Sequence, residues 1–104
     1  MSHLEMIGAT ARAAGKALDA LKPAIDLLSN QIRLTRRVID AATEEGATFE
    51  DALYDLFGLS VAGVAMSLKR DAHILKCATE SFTASIDALA SIIEGAENEG
   101  NEDE

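Results

Sequence analysis

The stretch from Leu4 to Ala42, LEMIGATARAAGKALDALKPAIDLLSNQIRLTRRVIDAA, decides the fold. With Leu4 as heptad position a, the a column reads Leu4, Ala11, Leu18, Ile25, Ile32 and Ile39. The d column reads Ile7, Ala14, Leu21, Leu28, Thr35 and Ala42, in which Thr35 is the one polar residue. Beside this seam every b position is charged: Glu5, Arg12, Asp19, Asp26, Arg33 and Asp40. A pattern that holds its phase for so long predicts an amphipathic helix packed on another helix, with a and d as the seam.

The ends of this helix are written in the sequence as well. Ser2 and Glu5 have the spacing of a capping box, in which each side chain reaches the other residue's unpaired amide. Gly46 suits the left-handed position that closes a helix, although Glu44 and Glu45 just before it oppose the negative end of the helix dipole. Pro23 removes one main-chain hydrogen bond inside the pattern and predicts a kink.

A second helix is expected from Thr48, its cap, to about residue 94, with Asp51 in the reciprocal capping position. Its register runs Val61, Ala65, Leu68, Ala72, Leu75, Thr79, Phe82, Ile86, Leu89 and Ile93, and Gly95 is placed to end it. The link between the helices, Gly46–Ala47, is so short that the two must run antiparallel. Residues 96–104 hold five acids and no base, the composition of a disordered acidic tail. The expectation is a single helical domain over 1–95, with helices at about 3–45, kinked near 23, and 48–94.

Composition agrees with this all-α reading and excludes several classes. The 104 residues include nineteen alanines, three phenylalanines, one tyrosine and no tryptophan, a poor inventory for a sandwich or barrel. The net charge of -9 disfavours direct nucleic-acid binding. One cysteine allows no intrachain disulfide and fits a reducing, cytoplasmic setting. No run of residues has the length and apolarity of a membrane span, and the first helix has mixed charges and no aromatic anchors, so no membrane partner is expected.

Leu56–Leu68, LFGLSVAGVAMSL, carries no charge at all. It offers a second stripe of Leu59, Gly63, Met66, His73 and Cys77 beside the main register. Two paired helices cannot surround such a segment. Either Pro23 and Gly58 fold the chain on itself, or hairpins associate; a break of the helix near Gly58 is the plainer alternative. The favoured expectation is an antiparallel hairpin completing a four-helix bundle by homodimerisation through Leu56, Leu59, Gly63 and Met66.

Candidates for chemistry are few. His73 and Cys77 have the i, i+4 spacing of two metal ligands, and Asp71 or Glu80 could add an oxygen. A closed site would need ligands shared across a dimer, and packing of both side chains in the second stripe, with Cys77 as a small hydrophobe, is the favoured reading of the pair. The His-x-x-x-Cys pair following the Glu44-Glu45-Gly46 turn resembles, over roughly thirty residues, the all-helical copper- and nickel-sensing repressors. Phe49 stands near the place of that family's cysteine, and the repressors' basic surface is missing. The resemblance implies metal sensing or storage, which stands as the second reading; no cofactor is expected under the first. Neither histidine has a glutamate three residues before it, as di-iron bundles require. No nucleophile elbow or phosphate-binding glycine loop is present, so an enzyme is not expected.

Charge layout says more. Between Arg37 and Lys69 there is no Lys or Arg, while Asp40, Glu44, Glu45, Glu50, Asp51 and Asp55 all fall there. In a hairpin these acids converge on one tip. Ordinary solvated helix ends, with caps for Glu50 and Asp51, are the plain account of these acids; the functional account is a negative surface for a basic partner protein, for example one that binds nucleic acid. The basic triplet Arg33, Arg36 and Arg37 lacks the interleaved aromatics of a base-stacking surface and is assigned to ion pairing. The expected activity is non-catalytic: an adaptor, regulator or inhibitor that offers its acidic tip to another protein.

Overall fold

The computed structural model describes the backbone of residues 2–102 and the side chains of residues 2–96. It is all-α, with no strand among the described residues: α1 spans His3–Glu45, α2 Phe49–Phe57 and α3 Val61–Glu102. The helix expected over 48–94 is therefore two helices. Gly58 stops α2 in the left-handed region at φ 66°, donating its N–H to the Tyr54 carbonyl at 2.7 Å. Ser60 then starts α3, its Oγ accepting from the Gly63 N–H at 3.0 Å. Between α2 and α3 the chain turns through 82°.

The other helix signals act as their residue types suggest. Ser2 Oγ accepts from the Glu5 N–H at 3.2 Å, and Thr48 Oγ1 accepts from the Asp51 N–H at 3.1 Å. Gly46, at φ 66°, closes α1 while the Ala47 N–H reaches back to the Ala42 carbonyl at 2.9 Å, a Schellman closure. Pro23 lies inside α1, which continues through it as one element, so it does not split the helix in two. Gly95 does not end α3: it keeps a negative φ, where a mid-helix glycine costs only about 1 kcal/mol, and the helix runs on to Glu102. The segment expected as a tail is thus helical in backbone as far as Glu102, and its side chains from 97 onward lie outside the described residues.

The chain divides into two compact units, Pro23–Leu75 and Met1–Lys22 with Lys76–Glu104. In Pro23–Leu75 the last half of α1, all of α2 and the start of α3 enclose a core of Val38, Ala42, Ala52, Leu53 and Val64, flanked by Leu34, Phe49, Phe57 and Leu68. Gln31 meets Asp71 while Val38 and Ala42 pack near Val64, so α1 and α3 run antiparallel here. Arg37 lies over the Phe57 ring, 5.5 Å from its centroid, a cation–π contact that ties α1 to α2. In the other unit His3 lies beside Gly95, and Thr10 and Ala13 share a shallow groove with Ser85 and Ala88. There too the pairing is antiparallel, and Ala14 is buried in it.

One feature of the packing departs from the heptad reading. Every a residue of α1, from Leu4 to Ile39, is exposed, and the covered columns are d and g. Position g holds His3, Thr10, Ala17, Ala24, Gln31 and Val38, and is rich in small side chains that let the helix axes approach. In α3 the covered columns are Val64, Asp71, Ala78, Ser85 and Ile92, and Leu68, Leu75, Phe82 and Leu89; Ala65, Ala72, Thr79, Ile86 and Ile93 are exposed. Half of each expected seam is therefore not the seam of the folded chain.

Candidate functional site

The six acids of the expected tip all belong to the Pro23–Leu75 unit, and all six are exposed. Asp40, Glu44 and Glu45 lie near the end of α1; Glu50, Asp51 and Asp55 lie on α2. Local chemistry accounts for two. Glu50 and Asp51 occupy the first turn of α2, where the exposed amides and the positive end of the dipole favour a carboxylate. Glu44, Glu45 and Asp55 stand in last turns, where the same dipole opposes them by roughly 0.3–1 kcal/mol each before solvent screening, and neither last turn holds a base.

Beside these acids is an open groove of about 400 Å³, lined by Glu50, Asp51, Tyr54, Asp55, Leu59 and Ser60, with Ala47 at its edge. Tyr54, 69% exposed, is the chain's only tyrosine and lines the groove together with three acidic residues. Such a lining suits a guanidinium or ammonium group: the ring face attracts a cation, and the carboxylates accept its N–H donors. Tyr54 was not legible as a site residue, because its neighbours in the groove come from α2, from the loop before it and from the turn after it. Its one sequence signal is a tyrosine between acids in a segment with no Lys or Arg.

The residues expected to self-associate lie in the same unit and are exposed: Leu56, Leu59, Gly63 and Met66. Met66, at 71% exposure, stands on the side of α3 turned away from α1. His73 and Cys77 are each exposed on α3, and among the described residues no group of three metal-ligating side chains gathers. Asp71, mentioned above as a possible oxygen ligand, is instead enclosed at 1% exposure between Gln31 Nε2 at 3.4 Å and Arg70 Nε at 3.3 Å. No single helix among the described residues is long and apolar enough to cross a membrane.

No family model, curated protein or solved structure matches the chain.

Proposed function

We propose that this is a non-catalytic, cytoplasmic protein that binds a basic partner protein through the acidic tip of its helical hairpin. The observation that carries the reading is the placing of Glu44, Glu45 and Asp55 on helix ends where stability favours bases. Together with Glu50, Asp51 and the exposed Tyr54 they form a surface whose field steers a positive partner and whose groove accepts an arginine or lysine side chain. Partners of that kind include nucleic-acid-binding proteins, whose basic surfaces the tip would occupy in place of phosphates. We further propose that α1 bends at Pro23 and that the chain acts as a homodimer forming a four-helix bundle.

Calorimetric titration with an arginine-rich peptide, followed by capture of basic proteins from a cell lysate, tests the tip. Binding should be strong in low salt and weaken steeply as salt is added. Reversing Glu44, Glu45 and Asp51 to Lys should abolish both peptide binding and capture while leaving helical circular dichroism unchanged. Capture that survives the reversal would remove the tip as the binding site.

A further inference from the structure

We infer that a second copy of this chain packs on the face made by Ile25, Ile32 and Ile39 of α1 and by Ala65 and Ala72 of α3. The inference rests on the homodimer proposed above, and assigns it a surface other than Leu56, Leu59, Gly63 and Met66. The three isoleucines are 48%, 55% and 50% exposed at seven-residue spacing, so they form one straight column within the Pro23–Leu75 unit. At about 100° per residue, this column stands about 90° round α1 from the line of contact with α3. Ala65 and Ala72 stand about 80° round α3 from its own contact line, in the same sense along the chain. Because the helices are antiparallel, both columns come to the same side. Leu27 and Ile74 also show surface, but they lie on the opposite side, where Leu34, one heptad after Leu27, is half-buried against the core.

Contacts a quarter-turn apart are what each helix of a square four-helix bundle makes with its two neighbours. Among the described residues α1 and α3 are the long helices and α2 has nine residues, so a square bundle built on this face takes its other two helices from another molecule.

The shape of the face identifies the occupant as a copy of itself. One column is large and the other small, so rotation about a two-fold axis parallel to the helices sets isoleucines over alanines in both directions. Gln31 opposite Asp71 fixes the level along the helices, which brings Ile32 of one copy to Ala72 of the other. Both acidic tips then point the same way, so a basic partner meets two of them.

Sedimentation of the full chain should give a mass of twice 11.0 kDa. Ile32→Lys enters a two-fold interface twice and should weaken association by at least about 100-fold. Met66→Lys should leave the dimer intact. To fix the arrangement without a disruptive charge, Ile32→Cys and Ala72→Cys chains, each also carrying Cys77→Ser, are mixed and oxidised. A covalent product that needs both chains supports the inference. Cross-linking of each chain only with itself overturns the arrangement. A dimer lost with Met66→Lys but kept with Ile32→Lys overturns the face, and a monomeric wild-type chain overturns the homodimer as well. None of these outcomes depends on peptide binding at the tip, so the two proposals fail separately.

Discussion

The two compact units contain lengths of the same two long helices, yet only one has a core of large side chains. Six of the seven buried apolar residues, among them Val38, Leu53 and Val64, fall in Pro23–Leu75. The other unit contributes Ala14, and its paired helices meet through small residues such as Thr10, Ala17, Ala78 and Ser85 and through Ile7, Leu21, Phe82 and Leu89, which are only half-buried. The difference is α2. Two helices side by side share one line of contact and leave large side chains wetted on one flank; a third element closes over that line and makes an interior. Nine residues suffice, because Leu53 projects from α2 into the space between α1 and α3.

The largest test of this contrast is Leu53→Ala. Truncating a fully buried leucine costs about 2–5 kcal/mol, and here it empties the largest buried side chain of the core that the three helices share. Urea unfolding at fixed protein concentration should show that loss. Amide exchange should quicken first in α2 and around Val38 and Ala42. Equal quickening in residues 3–22 would mean that the two units do not differ as their cores do. Gly58→Ala is the next largest. Nothing stands within 4 Å of the added carbon, so the cost is the left-handed backbone alone, about 1–2 kcal/mol. The damage should centre on the α2 end, read by exchange of the Gly58 amide that now bonds to Tyr54.

Asp71 makes the comparison finer, because it places a charge within the unit that has the core. Its carboxylate is enclosed, yet both partners are long, at 3.4 and 3.3 Å, and Arg70 is mostly in solvent. Hydrogen bonds of that length compensate poorly for the water the carboxylate has lost. Asp71→Leu should therefore stabilise the protein by about 1 kcal/mol and weaken the matching of level between α1 and α3 that Gln31 and Asp71 supply. A lower urea midpoint for the variant would show that the carboxylate is better satisfied than its distances indicate.

Much of this architecture could be read from residue types whose effect is local. Ser2, Gly46 and Thr48 act on amides and carbonyls a few residues away, and each sits where its chemistry predicts. The heptad column was legible as apolar, but its partner was not. Ile25, Ile32 and Ile39 have the same periodicity whether they face α3 or another molecule, and only the small residues of position g tip the choice. Gly58 is ambiguous for a related reason: a glycine in an uncharged run can be a site of close packing or a stop, and the following Ser60, a cap, marks it as a stop. The tip acids were visible as a charge run. The groove that gives Tyr54 its setting depends on the fold of the α2 turns, which no spacing in the sequence encodes.

The smallest expected effect compares like chemistry in the two units. Thr48 and Ser2 each accept a hydrogen bond from the amide three residues on, at 3.1 and 3.2 Å, so as local interactions they are nearly equal. Their surroundings differ. Thr48 starts the helix that carries Leu53 into the core, so fraying there withdraws a buried side chain, and Thr48→Ala should cost about 1 kcal/mol. Ser2 starts α1 beside exposed Leu4 and Glu5, where the first turn can open without uncovering a core, and Ser2→Ala should cost about 0.5 kcal/mol or less. Paired urea titrations measure the ratio. Equal costs would mean that the first turn of α1 unfolds only with the whole molecule, and the contrast between a cored unit and an uncored one would then describe packing but not stability.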